Sequence, residues 1–326
     1  MALNLFAIDK DSRHTGLVSV EYAGLAYNLI TSILILILSD RMDNDAILLE
    51  QRFYIVVITF AMVYLYKIFP CKMVMLLRIV MQLAFLTYWY PDTYQFNRLF
   101  INRDHWFASF EQWAFGCQPS LLFHSLLPQI WWSEAFNFGY FAYYFMIAFV
   151  VFFYFFCRYK EFERTAFILI SSFFIYYLVF IALPVAGPQY YFQAIGVENA
   201  MNGHFPPVGS YFLYHTEMLP NPGDGSGFFH QMVESSQEAG ERPTAAFPSS
   251  HVGVSTIVML LAWRTKNQWL FFCLLPVYIL LCCATVYIQA HYLTDAICGF
   301  LSAICVYYLT AWIFKKIYNY ESKRTF

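Results

Sequence analysis

The chain has 326 residues, of which 60% are hydrophobic, 21% aromatic and only 12% charged, against about 25% charged in a soluble domain. A soluble fold of this length would need a charged skin. This chain lacks one, so its surface is suited to lipid, and a net charge of -2 argues against nucleic acid as a partner.

A bilayer crossing takes about 20 apolar residues. In chain order the candidates are Tyr22–Leu38, Phe53–Phe69, Met73–Tyr90, Phe138–Phe156, Ala166–Leu183, Val252–Trp263, Trp269–Ile288 and Ala296–Phe314. The sixth is short and is expected to begin earlier, at Pro248-Ser249-Ser250-His251. The expected fold is an all-α polytopic membrane helix bundle of about eight transmembrane helices. Residues 1–70 supply two N-terminal spans, and residues 71–326 a six-span domain. The N-terminus has no basic start followed by an apolar core, so no cleavable signal peptide is expected.

Two stretches fall between spans. Residues 91–137 are rich in aromatics but broken by Asn97, Arg98, Asn102, Arg103, Asp104 and His105, and they read as interfacial helices lying on the membrane. Within them, Arg103, Asp104 and His105 form either a solvated turn or a head-group contact. Residues 187–247 hold Pro-Asn-Pro-Gly-Asp-Gly-Ser-Gly, which is turn chemistry, and read as a long functional loop. Its His204, His215 and His230 have no metal-ligand spacing. The cysteines likewise show none and read as small apolar residues.

Eight spans put both termini on one side. That side collects Lys10, Arg13, Lys67, Lys72, Arg158, Lys160, Arg164, Arg264, Lys266, Lys315, Lys316, Lys323 and Arg324; the other has Arg41, Arg52, Arg98, Arg103 and Arg242. By the positive-inside rule the termini are cytoplasmic and both long connections face away from the cytoplasm. Arg78 sits within a span, where it must snorkel or pair.

The chemistry concentrates at two helix mouths. In Arg242-Pro243-Thr244-Ala245-Ala246-Phe247-Pro248-Ser249-Ser250-His251, serine suits an N-cap, and the free N–H groups of a helix start bind anions such as phosphate. In Ala290-His291-Tyr292-Leu293-Thr294-Asp295, His291 and Asp295 are four apart. On a helix they share a face, so the carboxylate can hold one imidazole nitrogen and leave the other free to attack. Two histidines, an aspartate and an anion cradle amount to a nucleophile, a general acid and a phosphate site, with no metal and no cofactor required. A non-catalytic lipid transporter or lipid-binding protein would not need such a set.

These stretches resemble the signature motifs of the type 2 phosphatidic acid phosphatase superfamily, over roughly Met73 to Phe314. The family's Pro-Ser-Gly-His is matched by Pro248, Ser249 and His251, with Ser250 replacing glycine. Its Ser-Arg-(five residues)-His-(three residues)-Asp is matched by His291 and Asp295, with Ala284 and Thr285 in the Ser-Arg positions. Its Lys-(six residues)-Arg-Pro is matched by Arg242-Pro243, with Ser235 at the lysine position. Ala-Phe-Pro-Ser-Ser-His, His291-Tyr292 and Leu183-Pro184-Val185-Ala186-Gly187-Pro188 are similar to the inositol phosphorylceramide synthase and sphingolipid phosphotransferase branch, which also lacks the full basic set. The resemblance implies that His291 forms a phosphohistidine, Asp295 orients it and His251 acts as acid and then base. Arg242, Ser249 and Ser250 then lie against the phosphoryl oxygens. It implies a membrane lipid phosphate as substrate, with water or an alcohol such as inositol as acceptor.

Overall fold

The computed structural model describes residues 5–9, 12–223 and 225–324. Fourteen α-helices run through them: α1 (Ser19–Leu38), α2 (Asp45–Ile68), α3 (Lys72–Asn97), α4 (Asp104–Phe115), α5 (Pro119–Leu126), α6 (Ile130–Phe141), α7 (Tyr143–Cys157), α8 (Tyr159–Ala182), α9 (Pro188–Ile195), α10 (Val197–Met201), α11 (Phe228–Gly240), α12 (Ser250–Arg264), α13 (Gln268–Tyr287) and α14 (Leu293–Arg324). Among the described residues, an isolated bridge between Ile8 and Cys71 is the extent of β pairing.

Six helices, α1, α2, α3, α8, α13 and α14, are long and apolar enough to cross a membrane, and α6 with α7 makes a seventh if the pair, bent by 44°, is one span. These are the helices of a multi-pass membrane protein. The sixth sequence candidate forms α12, whose 15 residues reach about 22 Å at 1.5 Å per residue, short of a hydrocarbon core of about 30 Å. The stretches between spans are also more ordered than expected. Proline is tolerated in membrane helices, so α3 continues through Pro91 to Asn97, and the segment expected to be a loop from 187 to 247 carries α9, α10 and α11.

Two compact units divide the described chain. The first comprises residues up to Trp89, Val151–Phe174 and Val306 onward. It holds two arginines that an apolar helix must neutralise. Arg78, fully buried on α3, is paired with Glu21 of α1, its Nε donating at 2.7 Å, and its other nitrogens donate to the carbonyls of His14 and Gly16 at 2.6 Å. Arg52, expected from the sequence in a loop, lies inside α2 and donates to the Leu48 carbonyl at 3.1 Å and the Tyr88 hydroxyl at 3.0 Å.

The second unit comprises Tyr90–Val150 and Ile175–Cys305. Helix α12 is buried around its whole circumference, mostly by apolar residues such as Val252, Val254, Ile257, Val258 and Leu261 but with Ser255 and Thr256 among them, as expected of a helix enclosed by protein. Glycines let its neighbours approach. A Cβ on Gly299 of α14 would meet the Ser249 carbonyl oxygen at 2.5 Å, and one on Gly139 of α6 would meet the Leu280 backbone of α13 at 2.7 Å. Gly187, at φ +100°, allows the turn into α9, whose first residue is Pro188.

Candidate active site

The segment before α12 and the segment before α14 are stitched together by their backbones. Ser249 caps α12, its hydroxyl accepting the Val252 amide at 3.3 Å, and its own N–H donates to the Asp295 carbonyl at 3.0 Å. Ser250 and His251 follow at the first two helical positions, where a helix offers its N–H groups no internal acceptor. Ala246 donates its N–H to the Val185 carbonyl at 3.1 Å, and its carbonyl faces the other way, toward His291. The two motifs, separated in sequence by α12 and α13, thereby meet: the rings of His251 and His291 lie 5.8 Å apart.

His291 is buried, and its Nδ1 is 2.8 Å from the Ala246 carbonyl oxygen. A carbonyl can only accept, so Nδ1 carries the proton and Nε2 keeps a free lone pair. Burial pushes the imidazole down to about 4, with the Ala246 bond and Glu241 pulling the other way, and the ring is uncharged at neutral pH. Asp295 does not fill the place expected for it. Its Oδ2 is 3.7 Å from Nδ1, beyond hydrogen-bond range, and instead accepts the Tyr292 N–H at 2.9 Å. That bond caps the first turn of α14, a competing demand that the four-residue spacing does not reveal.

His251 is sandwiched by aromatic rings, 4.6 Å from Tyr140 and 4.7 Å from Tyr143, and its Nδ1 is buried without a hydrogen-bond partner. The Tyr140 hydroxyl donates to Glu241 at 2.8 Å. Burial pushes the Glu241 carboxyl above its ordinary value, held down by Tyr140, His291 and Gln237. A carboxyl group therefore lies close enough to His291 to act on it electrostatically, and is bonded to the tyrosine that stacks on His251. Arg242 donates to the carbonyl of Glu241 at 2.6 Å, and among the described residues no hydrogen bond joins it to either histidine. At the departures from the family motifs, Ser235 is exposed on α11, while Ala284 and Thr285 are fully buried on α13 and bring no charge.

For α4, beside the site, the sequence predicts only an interfacial helix. Asp104 turns out to be fully buried. It accepts the N–H groups of Ala186 and Gly187 at 2.7 and 2.8 Å and the Tyr292 hydroxyl at 3.1 Å, so the solvated turn expected there is not formed. Arg103 instead lies over the Trp106 ring at 4.4 Å. Glu111 accepts both the N–H and the hydroxyl of Thr294, at 2.7 and 3.0 Å. Among the described residues no three His, Cys, Asp or Glu are grouped as a metal ion would need.

A family model described as the PAP2 superfamily matches residues 105–309, well over half of the chain. The chain belongs to the PAP2 superfamily. No curated protein and no solved structure matches it. PAP2 membership suggests phosphatase or phosphotransferase chemistry in a membrane protein, and the matched residues include both histidines, Asp295, Arg242, Ser249 and Ser250. Sequence reasoning missed Glu241, Tyr140, Tyr143 and Glu111. Glu111 left a faint signal, as a carboxylate in an otherwise weakly charged stretch; Glu241 is masked by its neighbours Glu234, Glu238 and Arg242, and the tyrosines left none, since aromatics are common throughout.

Proposed function

We propose that this chain is an integral membrane enzyme that cleaves a lipid-linked phosphate through a phosphohistidine at His291. The reading is supported above all by the Nδ1–H bond to the Ala246 carbonyl at 2.8 Å, which leaves Nε2 unprotonated in a ring 5.8 Å from a second histidine. Nε2 attacks phosphorus; an N–P bond forms and the bond from phosphorus to the lipid oxygen breaks, with His251 in its protonated, imidazolium form giving that oxygen its proton and becoming neutral. His251, now a base, takes a proton from water, whose oxygen attacks phosphorus and breaks the N–P bond. The N–H groups of Ser250 and His251, the Ser249 cap and the nearby Arg242 stabilise the phosphoryl oxygens. Asp295 secures the turn that carries His291.

A second reading, transfer of the phosphoryl group to an alcohol such as inositol in the manner of the inositol phosphorylceramide synthases, is favoured by one observation. Ser235 and Thr285 are uncharged where the phosphatase motifs carry cations, and Glu241 is an added acid. A phosphate monoester carries a charge of about -1.5 to -2 at neutral pH, and a site so poor in cations suits the single charge of a phosphodiester better. Purified protein given labelled phospholipid with and without inositol distinguishes the outcomes: free phosphate supports the phosphatase, a new inositol-dependent lipid the transferase. Neither product would sink both readings. The mechanism is also metal-independent, so turnover should survive chelator and be inhibited by vanadate. Activity abolished by chelator and restored by a divalent ion would overturn it.

A further inference from the structure

Helix α4 presents two unlike faces. Trp106, Phe110 and Trp113 are exposed. Asp104 and Glu111 are fully buried and seven residues apart, two helical turns, so they lie on one side of the helix. Their partners are two residues that lie between His291 and Asp295. Asp104 accepts from the Tyr292 hydroxyl at 3.1 Å, and Glu111 from the Thr294 N–H and hydroxyl at 2.7 and 3.0 Å. Asp104 also accepts the N–H groups of Ala186 and Gly187. The preceding residue, Val185, receives the Ala246 N–H, and the Ala246 carbonyl receives Nδ1–H of His291. Both sides of the bond that sets the nucleophile's tautomer therefore trace back to α4.

From this connectivity we infer that Asp104 and Glu111 are positioning residues: α4 holds the turn carrying His291 in register with the Ala246 carbonyl, and so keeps Nε2 bare and aimed. The inference rests on His291 being the nucleophile. A bulk packing role would be served by apolar side chains. A buried carboxyl is costly unless its oxygens accept hydrogen bonds, and here Glu111 uses one oxygen for both Thr294 donors while its other oxygen is buried without a partner. The function of Glu111 thus resides in one accepting oxygen, which an amide can replace.

The test uses the full chain in lipid nanodiscs, with Glu111→Ala, Glu111→Gln, Thr294→Val and, from the opposite face, Phe110→Ala. Two signals are read. The ¹⁵N resonances of the His291 imidazole report its tautomer, and inorganic vanadate binding reports whether Nε2 is aimed, since vanadate forms a bond to it. Glu111→Ala should give a mixed tautomer and weaken vanadate about 10- to 100-fold, the scale of loss when a reacting group shifts by an ångström. Glu111→Gln should restore both signals, Thr294→Val should lose part, and Phe110→Ala should match the parent. A parental tautomer and parental vanadate affinity in Glu111→Ala would overturn the inference, as would Glu111→Gln behaving like Glu111→Ala. If Glu111→Ala does not fold, Glu111→Gln and Thr294→Val decide the matter. Vanadate binding that survives His291→Ala would instead refute the assignment of the nucleophile, while the tautomer signal still reports on α4.

Discussion

Nε2 of His291, the proposed nucleophile, is left unprotonated because a peptide carbonyl, not a carboxylate, accepts the hydrogen bond from Nδ1. This divides the roles of three side chains in a measurable way. His291→Ala should abolish turnover and the covalent phosphoenzyme together. His251→Ala removes the proposed general acid and should cost about 10²- to 10⁴-fold, and that loss should shrink when the leaving group is a nitrophenolate, which departs without a proton. Asp295→Asn preserves the shape of the α14 cap and leaves the Ala246 contact to fix the tautomer. It should therefore cost less than the roughly 10⁴-fold seen where a carboxylate alone holds the imidazole. Turnover rates of purified variants on the two classes of leaving group check all three; identical responses from His251→Ala and His291→Ala would refute the roles. That the two histidines meet was legible in sequence because their places at helix mouths are local properties; the place of Asp295 was not, because its carboxylate is taken by the Tyr292 N–H. The acceptor of the Nδ1 proton was not, because it is a main-chain oxygen from a segment 45 residues away, and every residue has one.

At the scale of elements, α4 is held by two carboxyl groups that burial raises, Asp104 to about 6 and Glu111 to about 7. Folding favours their protonated forms. The stability they contribute is therefore complete below their unfolded values, is lost as pH rises through about 6 and 7, and does not return above that. A shift of Glu111 from 4.5 to about 7 corresponds to about 3 kcal/mol at most. Raising the pH from 5 to 8 should lower the melting temperature by several degrees, and Glu111→Gln should flatten the upper part of that dependence; a parental slope in Glu111→Gln would rule out Glu111 as its source. Most helices were legible as apolar runs. The internal structure of residues 187–247 was not, since the short helices α9 to α11 depend on packing against Tyr292, Ala246 and α6 and leave only turn residues in the sequence.

For the molecule as a whole, the count of crossings decides which way the site faces. We propose eight, with α12 crossing as a helix enclosed by protein and α6 with α7 as one bent span; both termini are then cytoplasmic and the two histidines face the opposite side. The lysine and arginine asymmetry supports this, although Arg52 lies inside α2 rather than in a loop, because a buried, fully bonded arginine is invisible to a count by position. Reporters fused at each terminus and inserted in the 220–227 stretch should read cytoplasm, cytoplasm and the far side. Termini on opposite sides would mean seven crossings. The ion pair between Glu21 and Arg78 also bears on how the chain is made. Glu21 is the third residue of α1 and Arg78 the seventh of α3; an unpaired charge there costs less than the ~2.5–3.5 kcal/mol of the bilayer centre but is still disfavoured in an apolar span. During synthesis α1 emerges with an acid and α3 with a base, and each is a poor candidate for release into lipid until the other arrives. The first three helices should thus leave the translocon as a group, which makes α1 a partner in the biogenesis of α3 and not a dispensable N-terminal extension.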